Sequence, residues 1–279
     1  MTDTDGLAPL QQFTLNDRLA NYGDGVFSTM SVVDGKIALY ERHLARLQND
    51  AEALGLVVPA QALRELIQDT LRQQGNAVAT SVLKCLIGAG VGGRGYARAD
   101  TPQLSAALSW HDMPPFYTAW QQQGIALGTV PVNLAQQPLL AGLKHANRLE
   151  QVLIKRALAQ TAFDDCVVTD TDGQVIEASA ANIFWFYKGQ WHTPALDNAG
   201  VNGVMRQFIL AQVPAVDVGH YSLNALLQAD AVFVCNALMQ IVPVKQFSVA
   251  SKTVEYSVKP GVQLRQHLAS AYEREYSVT

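Results

Sequence analysis

The chain has 279 residues, 49% of them hydrophobic and 16% charged, with a net charge of −4. That length suits two domains or one large one, and the composition is that of an ordered protein with ordinary cores. A mildly acidic chain without a Lys/Arg-rich run is not expected to bind nucleic acid or an anionic membrane. No stretch of apolar residues is long enough to span a bilayer, and the acidic start Met1-Thr2-Asp3-Thr4-Asp5 has no apolar signal core. Cys85, Cys166 and Cys235 sit in apolar runs without metal spacing, so reduced buried thiols, no metal and a cytoplasmic setting are expected.

Tyr22-Gly23-Asp24-Gly25 precedes a strand over 26–33, which turns at Asp34-Gly35 into a second strand ending near Tyr40. Phe27 and Thr29 share one face of the first strand. A helix opens at Glu41, with Leu44, Leu47, Ala51 and Leu54 on one face and His43 and Arg46, one turn apart, on another. By spacing alone His43 and Arg46 read as a solvated polar face. A second helix covers 60–73, and strands follow over 81–89 and 104–110. Between those strands, Gly90-Val91-Gly92-Gly93-Arg94-Gly95-Tyr96 has neither Walker nor dinucleotide spacing, and reads as a flexible loop presenting Arg94. Pro114-Pro115 and a glutamine run mark a connection over 114–123, dividing an N-terminal α/β domain (1–113) from a C-terminal one (124–279).

The second half opens on a strand over 124–132. Leu149, Val152, Leu153, Arg156 and Ala157 then follow helical spacing, which predicts a helix beginning just after Lys144. There the positive helix end and Arg148 would disfavour the ammonium form, and a partly neutral amine is what Schiff-base chemistry needs. Cys166 to Thr169 reads as a strand, Asp170 to Gly173 as a turn, and Gln174 to Glu177 as the returning strand, a hairpin that carries Glu177 back toward Lys144. A strand over 182–187 turns at Lys188-Gly189. Gly200 to Gly203 precedes an apolar-periodic helix through Val213, whose opening N–H groups would favour phosphate. A strand over 231–235 ends in Asn236-Ala237-Leu238, and a last helix covers 261–275. Without further support Lys144 reads as a solvated lysine, Glu177 as a rim charge, and the glycine turn as a plain helix start. His145 and Asn147 read as structural rather than catalytic.

Gly142-Leu143-Lys144-His145-Ala146-Asn147-Arg148-Leu149, Glu177-Ala178-Ser179-Ala180-Ala181-Asn182-Ile183-Phe184 and Gly200-Val201-Asn202-Gly203-Val204-Met205-Arg206 stand in this order along the chain. Together they resemble the fold-type IV pyridoxal phosphate enzymes, and among these the aminodeoxychorismate lyases. The resemblance implies two α/β domains, pyridoxal 5'-phosphate in the cleft between them, and a homodimer. It implies that Lys144 holds the cofactor and later removes the substrate's C4 proton, that Arg46 grips the phosphate, and that Glu177 bonds the pyridine nitrogen. The backbone amides of Val204 and Met205 and the Asn236-Ala237 turn are the remaining cofactor contacts it implies. The substrate would be 4-amino-4-deoxychorismate, delivered by aminodeoxychorismate synthase and split into 4-aminobenzoate and pyruvate in folate biosynthesis. Thr29, Arg94, Arg148 and Lys84 are the substrate-binding candidates; relatives often carry arginine where Ala89 stands. A branched-chain or D-amino-acid aminotransferase of the same fold would need the same lysine, glutamate and arginine, but Val26-Phe27-Ser28-Thr29 and Gly200-Val201-Asn202-Gly203 resemble the lyase wording. A catalytically silent binding protein would be expected to lack Lys144 or Glu177, and both are present.

Overall fold

The computed structural model describes residues 7–9, 12–74, 79–100 and 102–277. The chain has a two-domain α/β fold: one compact unit holds Met1–Met113, Lys144–Asn147 and Glu275–Thr279, the other Pro114–Leu143 and Arg148–Arg274.

The first unit contains β1 (Leu7–Pro9), α1 (Arg18–Tyr22), β2 (Gly25–Val33), β3 (Lys36–Ile37), α2 (Tyr40–Ala53), α3 (Ala60–Gln74), β4 (Thr80–Gly88) and β5 (Leu104–His111). Its sheet runs β1-β5-β4-β2-β3, antiparallel except where β1 joins β5. Along β2 the alternation expected of a half-buried strand is kept: Val26, Ser28 and Met30 are buried, Phe27 and Thr29 half-buried on the other face. Leu44, Leu47 and Ala51 of α2, with Leu63 and Ile67 of α3, complete the core. Each such large side chain contributes about 1.5–3 kcal/mol when buried. The helix α1 was not legible in the sequence, being only five residues long; it exists because Asp17 Oδ1 accepts the Leu19 and Ala20 N–H groups and Gly23 closes it at φ 61°. The second strand is also shorter than expected, since Leu39 adopts a left-handed conformation and α2 begins directly after it. Residues 275–277 return to this unit, where Arg42 forks onto the Glu275 carboxylate at 2.6 and 2.8 Å and Ser277 bonds Ile37.

The second unit contains α4 (Tyr117–Gln123), β6 (Ile125–Thr129), α5 (Leu149–Leu158), β7 (Asp165–Thr169), β8 (Val175–Ala178), β9 (Asn182–Tyr187), β10 (Gln190–Pro194), α6 (Val204–Gln212), β11 (Asp217–Gly219), α7 (Leu223–Leu227), β12 (Ala231–Asn236), β13 (Gln240–Val249), β14 (Lys252–Glu255) and α8 (Lys259–Glu273). The mixed sheet runs β11-β10-β9-β12-β13-β6-β7-β8, with β14 paired to β13. Residues 114–123, read as a connection, hold α4, whose Tyr117 and Trp120 pack on the core of this sheet. The long strand β13 has Pro243 in its middle, opposite Phe233, and its register against β6 shifts between Val244 and Gln246. An interior proline argues against a central strand, which hid this one. The three cysteines are buried free thiols, and burial pushes Cys85 and Cys166 up to about 12, so they are inert at neutral pH. No helix among the described residues is long and apolar enough to cross a membrane.

One helix differs from expectation at its start. The helix α5 begins at Leu149, not after Lys144, and buries Ile154 and Leu158. Leu149, Val152 and Leu153, three of the residues that gave the helical spacing, are 78%, 60% and 43% exposed.

Candidate active site

The placement of Lys144 follows from an open strand edge. The strand β3 covers only Val32 and Val33 of β2, leaving the N–H and C=O groups at the start of β2 without a strand partner on that side. The segment 144–147 fills the gap: Phe27 N–H donates to Lys144 O at 3.0 Å, and Ala146 N–H to Gly25 O at 2.8 Å. Asn147 Nδ2 donates to Gly23 O at 3.1 Å, and the Lys144 N–H donates to Asp50 Oδ2, on α2, at 2.8 Å. The lysine is thus extended and paired to a strand. It does not stand at a helix start, and the dipole argument for a neutral amine does not apply to it. Its Nζ lies 4.7 Å from the centroid of the Phe27 ring.

Lys84 Nζ lies 5.0 Å from the same centroid. Lys84 is the direct cross-strand partner of Thr29, so Phe27, Thr29 and Lys84 share one half-buried face. Among the substrate candidates, Thr29 and Lys84 are therefore brought together with Lys144. Both Nζ atoms thus lie against one ring, whose negative face attracts a cation.

Arg46 is buried, and its Nη2 donates to Ser28 Oγ, on the inward side of β2. Ser28 Oγ lies 2.7 Å from Nδ1 of the fully buried His43. Arg46 Nη2 also lies 3.3 Å from Nδ1, and because arginine only donates, Nδ1 is the accepting nitrogen, which places the histidine's proton on Nε2. Burial, and then the charges of Arg46 and Lys144, hold His43 well below its ordinary pKa, so it is neutral at neutral pH. The polar face of α2 is thus an interior device, contrary to its solvated reading, and Asp50, one turn beyond Arg46, belongs to it. Sequence reasoning missed Ser28 and Asp50; the spacing of Arg46 and Asp50 on one helix was the available signal.

Arg94 is exposed, but its loop is tethered rather than free as expected: Arg18 donates to the carbonyls of Gly95, Tyr96 and Ala97. Ala89 is fully buried.

In the second unit Glu177 is buried on β8, and its Oε2 accepts the Val201 N–H at 3.0 Å. The turn 200–203 rests against it. Gly200 has φ +85°, and a Cβ there would meet Ile176 Cγ2 at 2.5 Å. Asn182, missed in the sequence, binds both sides of the turn: Nδ2 donates to Val201 O at 2.8 Å, and Oδ1 accepts the Gly203 N–H at 3.2 Å. Gly142 adds two backbone bonds, to Gly200 O and from Asn202 N–H. Helix α6 then starts at Val204, so the N–H groups of Val204 and Met205 fall among those without a carbonyl inside the helix. Both side chains are buried, which leaves the backbone as their polar function. At the β12–β13 turn, Asn236 Oδ1 accepts from Leu238 and Met239 N–H and Nδ2 donates to Ala180 O, so this side chain shapes the turn that includes Ala237. Arg148 caps α5 and donates from Nη2 to Leu143 O at 2.7 Å.

The sequence profile of the family described as amino-transferase class IV matches residues 25–247. The aminodeoxychorismate lyase of Vibrio harveyi is 34% identical over 256 residues, 90% of this chain and 93% of that protein. The crystal structure of 4-amino-4-deoxychorismate lyase from Pseudomonas aeruginosa matches with a TM-score of 0.85 at 32% identity, over 95% of this chain and 97% of that one. The D-alanine aminotransferase of Listeria monocytogenes serotype 4b is 29% identical over 240 residues, 82% of this chain and 80% of that protein.

Proposed function

This chain belongs to the aminotransferase class IV family, and from that premise we propose that it is a pyridoxal phosphate-dependent aminodeoxychorismate lyase. It converts 4-amino-4-deoxychorismate to 4-aminobenzoate and pyruvate. The observation that carries this reading is the Lys144 amine over Phe27, on the face that also holds Thr29 and Lys84. An amine beside a second cation and a hydroxyl suits an amino-bearing dicarboxylate. The choice of lyase over transaminase is favoured by the identity to two particular lyases, 34% to that of Vibrio harveyi over 90% of this chain and 32% to that of Pseudomonas aeruginosa over 95%, against 29% over 82% for the D-alanine aminotransferase.

The donors of this chain fit the cofactor. An aldehyde needs an amine, which Lys144 offers; a phosphate needs a guanidinium or the start of a helix, which Arg46 and the Val204 and Met205 amides offer. A protonated ring nitrogen needs a buried carboxylate, and Glu177 is one. Pyridoxal phosphate, when bound, supplies an electron sink for the pair left behind when a C–H proton is removed.

The rest is done by side chains. Lys144 is the base that takes the substrate's C4 proton. The bond from the ring to the enolpyruvyl oxygen breaks, and the leaving enol gains a proton to become pyruvate, so no oxidant is needed. Thr29 and Lys84 orient the substrate, with Arg94 and Arg148 as further partners for its carboxylates. Ala237 offers its turn to the phosphate, while Asn236 keeps that turn in shape. The substrate is supplied by aminodeoxychorismate synthase in the cytoplasm, where the three buried thiols stay reduced. The enzyme is a homodimer, for which the exposed apolar stripe Leu149, Val152 and Leu153 is a suitable contact.

The test is release of both products from cofactor-loaded protein, with substrate generated by its synthase. Equal amounts of pyruvate and 4-aminobenzoate are expected, falling by about 10³-fold or more in Lys144→Ala. Conversion to the pyridoxamine form with an amino acid, and no 4-aminobenzoate, would move the protein to the aminotransferases.

A further inference from the structure

Asp24 connects the Arg94 loop to the Lys144 segment, through Arg18 on one side and its own chain neighbours on the other. It stands between Gly23 and Gly25, whose carbonyls accept the Asn147 side chain at 3.1 Å and the Ala146 N–H at 2.8 Å. Its own carbonyl accepts the Ala89 N–H at 3.0 Å, just before the loop begins. Its carboxylate accepts Nε–H from Arg18 at 2.8 Å and from Arg98 at 2.9 Å, with a second bond from Arg98 Nη2. Arg98 Nη1 also reaches Leu54 O, at the end of the helix that carries Arg46 and Asp50.

Arg18 does the same for the loop. It is buried, and it divides its donors between Asp24 and three consecutive carbonyls: Gly95 O at 3.2 Å, Tyr96 O at 2.8 Å and Ala97 O at 2.9 Å. Its own N–H donates to Gly90 O at 2.9 Å. Only a planar fork of five donors can do this; a lysine ammonium has three and no plane. The exposed Tyr96 ring meets Tyr22 edge-on at 5.5 Å, and the Arg18 guanidinium lies 5.1 Å from the same Tyr22 ring. A Cβ at Gly93 would meet Ala97 O at 2.0 Å, so the loop closes tightly on itself. Ordering a glycine-rich loop costs more backbone freedom than ordering most others. A loop already ordered on folding does not incur that cost again when ligand arrives.

We propose that Arg18 and Asp24 are positioning residues for substrate recognition, holding the Arg94–Tyr96 loop in fixed register with the segment that carries Lys144. Arg94 is thereby presented to an anionic group of the substrate from a preformed loop. The inference rests on the lyase reading for the identity of that substrate, and on the first unit alone for the clamp.

The test compares wild type, Arg18→Lys, Arg94→Ala and the double variant as loaded enzymes, with Asp24→Asn as a second, shape-conserving way to weaken the clamp. In Arg18→Lys, amide hydrogen exchange over 91–97 is expected to rise at least about tenfold. KM for 4-amino-4-deoxychorismate is expected to rise about tenfold with kcat within about threefold, because the loss is in binding geometry. In the Arg94→Ala background the same substitution should change KM by less than about twofold, since coupled residues are not additive. Asp24→Asn should move exchange and KM in the same direction. An unchanged KM in Arg18→Lys, or an equal rise with and without Arg94, would overturn the inference, because a merely structural role predicts one or the other. A wild-type protein that releases no 4-aminobenzoate would instead sink the lyase reading. The exchange data, and the KM for whatever amino acid is then transaminated, would still decide the clamp.

Discussion

The segment 144–147 and the turn 200–203 are both short stretches outside regular structure, and they are kept in place by different means. Lys144 is held by Asp50, 94 residues away in the chain, and Asn147 by Gly23, 124 residues away. The turn leans mainly on near neighbours: Val201 on Glu177 and Asn182, and Gly203 on Asn182, at separations of 24, 19 and 21 residues. The first arrangement exists only once α2 and β2 have packed, because an open strand edge and a carboxylate from a helix must come together before the lysine has a place. The second is built around the hairpin that carries Glu177 and one asparagine, with Gly142 adding two backbone bonds. A fault in the core of the first unit should therefore reach Lys144, the proposed reacting amine, whereas a fault beside β9 should reach the backbone proposed to bind phosphate.

The largest effect expected from breaking one side of this comparison belongs to Arg46. Arg46→Ala removes a buried cation and leaves Ser28 and His43 without their shared donor. The dissociation constant for pyridoxal phosphate, followed by fluorescence titration, should rise roughly 100-fold, as loss of a charge-assisted bond implies. Arg46→Lys should recover only part of that, lacking the fork.

A paired experiment sharpens the contrast. Asp50→Ala leaves the Lys144 N–H without its acceptor, and kcat should fall about tenfold through lost orientation. Asn182→Ala loosens both sides of the turn, and should instead weaken cofactor binding about tenfold. Steady-state kinetics at saturating cofactor, set beside cofactor titration, separates the two; equal effects of both variants on both quantities would erase the distinction.

The smallest effect is on stability. His43 titrates well below its ordinary value in the folded protein, so the folded state binds fewer protons than the unfolded one below about pH 6.5. Its contribution is fully present above that pH and is lost as pH falls, by at most about 1.4 kcal/mol per pH unit. Urea unfolding at pH 7.5 and 5.5 should show a larger loss in wild type than in His43→Gln, which does not titrate. Parallel losses would mean that other groups govern acid stability.

What was legible in the sequence was what local rules govern. Asp34-Gly35 and Asp170 to Gly173 are turns because their residues demand it, and the hairpin that ends at Glu177 and the start of α6 follow from strand alternation and helical period. The order of Lys144, Glu177 and the glycine turn was legible as a resemblance. What failed depended on distant partners. The apolar residues after Lys144 do form a helix, but its start was misplaced because an edge of β2, over a hundred residues earlier, takes up 144–147 instead. Nor does the period of that helix tell that Leu149, Val152 and Leu153 are exposed. The polar face of α2 could not be told from a solvated one without knowing that Ser28 and Lys144 lie against it. The tether on the Arg94 loop was equally hidden, because nothing near Arg18 in the sequence marks it as the partner of carbonyls 77 to 79 residues away.

The central claim is that Lys144, delivered to the first unit by four residues of chain, is the reacting amine, and that Lys84 over the same ring is not. Borohydride, which fixes an aldehyde captured by an amine, tests it most directly on protein loaded with pyridoxal phosphate. After reduction and digestion, peptide mass mapping should find the cofactor on the Lys144 peptide at close to one per chain and none on the Lys84 peptide. Label on Lys84, or label that survives unchanged in Lys144→Ala, would contradict the account.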